Sequence, residues 1–358
     1  MKKLRVGIVG KGKISGIYLQ NLTGMFADRV KVTAVADLVA ARAQEAAAQV
    51  PGAAALGVDA LLNSPEVDLV LNLTIPNSHF EVCRAAVEAG KHVYVEKPLC
   101  ITRQDAASLL AAAKARGVRV GGAPDTFLGA GIQTCRKLLD DGWIGSPVGA
   151  SAHMMNHGHE HWHPAPEFYY KTGGGPMFDM GPYYLTALVN LLGPVRRVCG
   201  SARRSFAKRT ISSEPLKGQT IDVEVPTHIS GVLDFHSGAV GTLTTSFDVW
   251  SHTLPFIEIY GTEGTLRVPD PNTFGGPVLL KRGTADAWSE IPLIGGWPEN
   301  SRGLGVADMA SAIAENRPHR ASGELASHVL ELMHGFHDAS ASGNYYQVES
   351  VCTRPEAL

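Results

Sequence analysis

The sequence predicts two domains: an α/β domain on a doubly wound parallel sheet over residues 1–122, and an α+β domain over residues 123–358. Three observations predict this. In the first third, short apolar strands alternate with helical stretches, the pattern of a parallel sheet covered on both faces. Beyond it, longer strand-like runs follow one another, the pattern of an antiparallel sheet with helices on one side. The chain has 358 residues, and roughly 150 residues per domain gives about two domains.

The elements follow in order. Residues 4–9 are an apolar strand that runs into Gly10, and a Gly-rich turn then opens a helix ending near Gly24. Residues 30–36 form a second strand with Asp37 at its end, followed by an Ala-rich helix over 40–49. A buried strand at 67–73 leads into Thr74-Ile75-Pro76-Asn77, and a helix over 80–89 is stopped by Gly90. A strand at 92–95, a helix over 104–116 closed by Gly117 and a strand at 118–121 complete the domain. Helical signals then appear at 131–141 and 180–192, and strand signals at 148–154, 226–236, 239–249, 256–261 and 265–269. Residues 234–238, Asp-Phe-His-Ser-Gly, read as a hairpin turn. The last helices cover 304–315 and 325–342, and whether they pack back on the first domain is left open.

Composition narrows the function class. Lys+Arg is 32 and Asp+Glu is 34, a formal net charge of −2, which argues against nucleic acid or an anionic membrane as the main partner. No run of about 18 apolar residues is present, so no transmembrane helix is expected. The N-terminal MKKLRVGIVG is interrupted by Gly7, Gly10 and Lys11 and lacks a small-residue cleavage site. It therefore reads as a strand of a cytoplasmic protein rather than a signal peptide. Cys83, Cys100, Cys135, Cys199 and Cys352 are scattered and form no CxxC, against both a disulfide framework and a zinc ribbon.

Two motifs carry chemistry in the first domain. Gly10-Lys11-Gly12-Lys13-Ile14-Ser15 is a G-x-G-x-x-S turn between a strand and a helix. Gly10 allows the tight turn, and Gly12 lets a pyrophosphate approach the backbone near Lys13 and Ile14 at the helix N-terminus. Asp37 stands 25 residues after Gly12, where a carboxylate accepts hydrogen bonds from ribose hydroxyls and repels a 2′-phosphate. This points to NAD; Lys11, Lys13 and Arg42 are nearby cations that leave NADP open. The other motif is Val95-Glu96-Lys97-Pro98, which puts a lysine at the C-terminal end of a parallel strand, where such sheets bind ligands. A solvent-facing lysine before a turn proline is the alternative.

GIVGKGKIS, LTIPNSHF, AGKHVYVEKP and GGGPMFDMGPYY occur in the order and spacing of the Gfo/Idh/MocA oxidoreductases, and the resemblance covers essentially the whole chain. It implies a nicotinamide-binding Rossmann domain, then a domain with a large, mostly antiparallel open sheet through which dimers or tetramers assemble. It also implies that Lys97 touches the nicotinamide region and a substrate hydroxyl. Thr74, Ile75, Pro76, Asn77 and His79 would line the dinucleotide, with Glu96 beside it.

Asp179 and Tyr183 are four apart, on one face of a helix if the helix spans both. Pro182 complicates this, because proline is comfortable only in a first turn; the helix either starts near Gly181 or is kinked there. Many members of the family carry His where this chain has Tyr183, and some carry Tyr. Tyr184 is the competing candidate, and both tyrosines as core aromatics is the bland alternative. Oxidising a secondary alcohol needs a proton acceptor beside the cofactor that supplies the redox chemistry. An unperturbed tyrosine titrates near about 10, and a lysine ammonium beside it lowers that value. Tyr183 is therefore the expected acid/base, Lys97 the polarising group and Asp179 the orienting or hydroxyl-binding group.

His157-Gly158-His159-Glu160-His161-Trp162-His163-Pro164 is the distinctive stretch. In an extended chain alternate histidines converge, which would suit a metal. Pro164 and Pro166 indicate a loop, and the family needs no metal, so Glu160, Trp162 and His163 are expected to meet the substrate and no metal is expected. Asp125, just after the last strand of the first domain, is a further substrate candidate with an ordinary loop carboxylate as its alternative. The expected activity is hydride transfer between NAD(H) and a secondary alcohol or ketone of a sugar, sugar derivative or cyclitol. A dinucleotide or sugar sensor on the same scaffold, or a redox-neutral NAD-dependent glycosidase, are the other readings.

Overall fold

A six-stranded sheet organises the N-terminal part, and in the computed structural model, which describes residues 3–358, every strand pair in it is parallel. Its strands are β1 (Leu4–Val9), β2 (Val30–Ala36), β3 (Ala54–Leu56), β4 (Leu69–Asn72), β5 (His92–Val95) and β6 (Val120–Gly122), in the order β3-β2-β1-β4-β5-β6. The first two residues of the MKKLRVGIVG run lie outside the described residues, and β1 begins at Leu4. The connecting helices are α1 (Ser15–Thr23), α2 (Ala40–Ala48), α3 (Val58–Leu62), α4 (His79–Glu88) and α5 (Arg103–Arg116). The central strands are buried on both faces, with Val6, Ile8, Val35, Leu71 and Val93 all inaccessible. That burial is why they read as unbroken apolar runs rather than alternating ones. Helix α5 shows its boundaries chemically: the Thr102 hydroxyl accepts from the Asp105 N–H at 3.1 Å, and Gly117 closes the helix at φ +65°.

The chain forms two units, Met1–Leu128 with Asn300–Leu330, and Gly129–Glu299 with Glu331–Leu358. A boundary at residue 122 differs from this division. The first unit continues to Leu128 and takes in the returning segment, because that segment bonds to the end of β6. The Gly122 N–H donates to the Ala321 carbonyl at 3.1 Å, and Gly121 forms an antiparallel bridge with Ser322. Helix α8 (Leu304–Ala314) lies wholly in this segment.

The second unit holds α6 (Ala130–Asp140), α7 (Gly175–Leu192) and a nine-stranded sheet. The sheet strands are β7 (Pro147–Met155), β8 (Val195–Arg203), β11 (His228–Phe235), β12 (Val240–Ser246), β13 (Ile257–Gly261), β14 (Gly264–Val268), β15 (Val278–Arg282), β16 (Ser289–Ile291) and β17 (Tyr346–Gln347). Their order is β16-β15-β14-β13-β7-β12-β11-β8-β17, and only β7 and β12 pair in parallel. β9 (Lys208–Thr210) and β10 (Thr220–Asp222) form a separate two-stranded ribbon. The expected hairpin is present one step later than the 234–238 reading: residues 236–239 join β11 to β12, with Gly238 at φ +94°. Helix α9 (Gly323–Ser342) sends Phe336 onto β8 and β11, and a Cβ on Gly231 would stand 2.5 Å from that ring. Glycine at 231 is what lets helix and sheet approach this closely.

Helix α7 begins earlier than the sequence suggests. It starts at Gly175 and runs through Pro182, so Asp179 and Tyr183 both lie on it. Strand β8, Val-Arg-Arg-Val-Cys-Gly-Ser-Ala-Arg, was not expected, since its arginines and glycine hide the alternation. No helix among the described residues is long and apolar enough to cross a membrane.

Candidate active site

In the first unit the Gly-rich turn is anchored at both ends. The Gly10 N–H donates to the Ala36 carbonyl at 2.8 Å. Gly10 sits at φ +101°, and a Cβ there would lie 2.7 Å from the Leu73 carbonyl oxygen. Any other residue would be strained and would push the turn off β4. Gly12, by contrast, has no heavy atom within 4 Å of where a Cβ would be. Helix α1 begins behind it with no side-chain cap and no acidic residue in its first turn; the Ser15 hydroxyl donates away from that turn, to the Gly12 carbonyl at 2.7 Å. Open space, uncapped amides and the positive end of the helix dipole together fit a pyrophosphate beside Gly12, Lys13 and Ile14.

Asp37 closes the same corner. Its carboxylate accepts from the Lys11 N–H at 2.7 Å and the Val39 N–H at 2.8 Å, so it fixes the Gly-rich turn against the end of β2. A carboxylate has about four acceptor positions, which leaves capacity for ribose hydroxyls. Leu38, which follows Asp37 in the chain, is 98% exposed, and Ile75, in the loop after β4, is 66% exposed. Apolar surface of that kind suits the face of a base.

The loop after β4 is built by Asn72, a residue the sequence reading passed over. Its buried amide donates to the His79 carbonyl at 3.1 Å, and its oxygen accepts from the Thr74 N–H at 3.1 Å and the Thr74 hydroxyl at 2.7 Å. Thr74 and Pro76 are half-buried, whereas Ile75 and Asn77 are exposed. His79 is placed differently from expectation. It is buried, with Nδ1 2.6 Å from the Pro98 carbonyl and Nε2 3.1 Å from the Thr74 carbonyl. Both ring nitrogens face backbone, so His79 braces the loop against the Lys97-Pro98 turn instead of lining a ligand. Burial holds its pKa below the ordinary imidazole value. A neutral ring has one N–H, so one of the two contacts is a hydrogen bond at a time. Glu96 is braced in turn: it accepts from the buried Tyr18 hydroxyl at 2.8 Å and from the Lys97 N–H at 3.0 Å. Lys97 is half-buried at the end of β5.

Asp125 is a correction. It is 1% exposed, and its Oδ2 accepts from the Gly303 and Gly305 N–H groups at 2.9 and 3.0 Å. It caps α8 rather than facing a substrate, and burial pushes its pKa up to about 6.

In the second unit α7 carries Asp179 and Tyr183 one turn apart. Tyr183 is largely buried, and Tyr184 is wholly in the core, where burial pushes its phenol far above the ordinary value. Asp179 Oδ2 lies 3.0 Å from His159 Nε2. The sequence reading placed His159 in the histidine cluster but did not single it out, because its partner is twenty residues on and only the fold brings them together.

The cluster is not extended. The His163 N–H donates to the His159 carbonyl at 2.9 Å, so the chain coils and the histidines diverge. His157 stacks on Trp250 with ring centroids 3.4 Å apart, His159 turns to Asp179, His161 is exposed, and His163 Nδ1 accepts from the Ala165 N–H at 3.1 Å. No group of three or more potential metal ligands occurs among the described residues. Glu160 is the second correction. Its carboxylate is engaged inside the protein by Arg209 Nε at 2.6 Å and by the Tyr170 hydroxyl. Arg209 is itself buried; it pairs with Asp248 at 3.0 Å and donates to the His157 and Phe247 carbonyls at 2.7 and 2.9 Å. Glu160 therefore holds the loop, while Trp162 is exposed and His163 half-buried at its tip.

Comparison with known proteins finds matches for both parts of the chain. Residues 4–122 match the family described as "Oxidoreductase family, NAD-binding Rossmann fold", and residues 132–267 match the GFO/IDH/MocA C-terminal domain. An inositol 2-dehydrogenase from Saccharopolyspora erythraea is 30% identical over 292 residues, 76% of this chain and 75% of that protein. A 1,5-anhydro-D-fructose reductase from Ensifer adhaerens is 27% identical over 307 residues, 84% of this chain and 85% of that protein. The fold is that of an NAD binding oxidoreductase from Klebsiella pneumoniae, with TM-score 0.85 at 24% identity, covering 98% of this chain and 100% of that one. Levoglucosan dehydrogenase in complex with NADH and L-sorbose has TM-score 0.82 at 19% identity, covering 97% of this chain and 99% of that one.

Proposed function

The chain belongs to the Gfo/Idh/MocA family of oxidoreductases, and from that premise we propose that it interconverts a secondary alcohol and a ketone on a sugar, sugar derivative or cyclitol, with NAD(H) as cofactor. The observation that carries the cofactor choice is Asp37, whose carboxylate closes the Gly-rich corner through the Lys11 and Val39 amides. A 2′-phosphate there would meet a negative charge. The substrate class follows the names of the relatives, which act on inositol and on an anhydro sugar.

The residues present fit the dinucleotide, which supplies the hydride acceptor or donor when bound. In this reading Gly10, Gly12, Lys13 and Ile14 hold the pyrophosphate, Asp37 the ribose, and Thr74–Asn77 line the path to the nicotinamide. Lys97 polarises the reacting oxygen of the substrate through its ammonium. Tyr183 takes the hydroxyl proton in oxidation and returns it in reduction. Asp179 binds and orients the substrate hydroxyl. Trp162 and His163 offer an indole face and a polar edge to the sugar. The α+β domain also serves assembly: we infer a homodimer or homotetramer through the nine-stranded sheet, tested by light scattering.

The test is calorimetry with NAD(H) and NADP(H), then nicotinamide absorbance against a panel of sugars and cyclitols. Tight NADH binding with turnover of one panel member is the expected result. Tight binding without turnover would favour a sensor, release of free sugar from a glycoside without net cofactor change would favour a redox-neutral glycosidase, and no dinucleotide binding would overturn the reading.

A further inference from the structure

We propose that His159 is a positioning residue that acts through Asp179, holding its carboxylate in one orientation by donating from Nε2. The inference rests on the reading of Asp179 as part of the reacting set. His159 Nε2 and Asp179 Oδ2 are 3.0 Å apart, and the two side chains are only 8% and 14% exposed. The opposite ring nitrogen, Nδ1, is buried with no hydrogen-bond partner. A proton on Nδ1 would be buried without an acceptor and would lose its hydration, whereas a proton on Nε2 faces a carboxylate. The surroundings therefore select the Nε2–H tautomer, and with it a donor aimed at Asp179.

The ring has little freedom to turn away. Tyr169 meets it edge-on with centroids 3.9 Å apart, and Phe247 and Trp162 stand at 4.6 and 5.3 Å. Its backbone N–H donates to the Tyr170 hydroxyl at 3.3 Å, and Tyr170 belongs to the Glu160–Arg209 network. The loop 157–163 is thus fixed from below, and His159 transmits that fixation to α7. A carboxylate gripped at one oxygen loses rotation about its terminal torsion, so its other oxygen points in a defined direction.

Two measurements test this. In nitrogen-edited NMR of histidine-labelled protein, His159 is expected as the Nε2–H tautomer, with a downfield proton that Asp179→Asn shifts; an Nδ1–H tautomer overturns the inference. On the turnover substrate, His159→Leu is expected to lower kcat by about 10- to 100-fold with the Kd for NADH unchanged. His159→Gln, which keeps a donor, should recover much of that loss. The double variant His159→Leu/Asp179→Asn should be no slower than Asp179→Asn alone, because both remove one unit. Losses that multiply, or a His159→Leu enzyme with full kcat beside a slow Asp179→Asn enzyme, sink this inference and leave the catalytic reading standing. Full kcat in Asp179→Asn sinks both.

Discussion

At the scale of single residues, the proposed chemistry concentrates on a few groups. Tyr183→Phe removes only a hydroxyl from a largely buried side chain, so the fold should persist while kcat falls by about 10² or more. Steady-state kinetics with an unchanged melting temperature would check it. Asp37→Ala removes the carboxylate that stands against a 2′-phosphate. The ratio of kcat/KM with NADP to that with NAD should rise by about tenfold or more, the effect of relieving a like-charge contact. The places of Asp37 and Lys97, just after β2 and β5, were legible in the sequence because a Gly-rich turn and strand ends locate them without knowledge of any partner. His159, Asn72 and Arg209 were not, since each derives its role from groups distant in the chain. Arg209 lies 49 residues from Glu160 and 39 from Asp248. Glu160 was misjudged for the same reason: a carboxylate in a polar loop reads as available until the fold supplies a buried guanidinium.

At the scale of elements, two ties are open to measurement. Arg209, at 4% side-chain exposure, joins the 157–163 loop, the β9–β10 ribbon and the end of β12. Arg209→Met leaves Glu160 and Asp248 buried without their cation and should cost about 3–5 kcal/mol in urea unfolding. The other tie is Asp125 on the N-terminus of α8. Its folded pKa, about 6, is raised above an unfolded value near 3.9, so between those limits the native state binds more protons. Stability therefore falls as pH rises from about 4 to about 6, by up to about 3 kcal/mol from this group, and is level above. Asp125→Asn should flatten that slope in a pH series of unfolding curves. Elements were most legible where one physical cause dominated, as in the unbroken burial of β4 or the Thr102 and Gly117 boundaries of α5. Helix α7 was misread at its start, because Pro182 signals a boundary although the helix runs through it.

At the scale of the whole molecule, the sequence conveyed two architectures in succession but not their exchange of segments. A change of strand pattern near residue 122 is visible in composition; a return of Asn300–Leu330 to the first unit is a tertiary fact with no local signature. NADH at a hundred times its Kd should raise the unfolding free energy by about 2.7 kcal/mol, readable as a higher midpoint in thermal melts, provided that it binds only the native chain. The divided first unit also has a consequence for synthesis. A ribosome adds roughly 5–20 residues per second, and domains tend to fold as they emerge. Here α8 and the strand-like bridge at Ser322 are made only after residue 299, so the nascent N-terminal sheet should have to wait for them. Chains stalled after residue 299 should be cut by protease within the N-terminal unit, and those released at full length should resist, so that vectorial production makes this unit begin first and finish among the last.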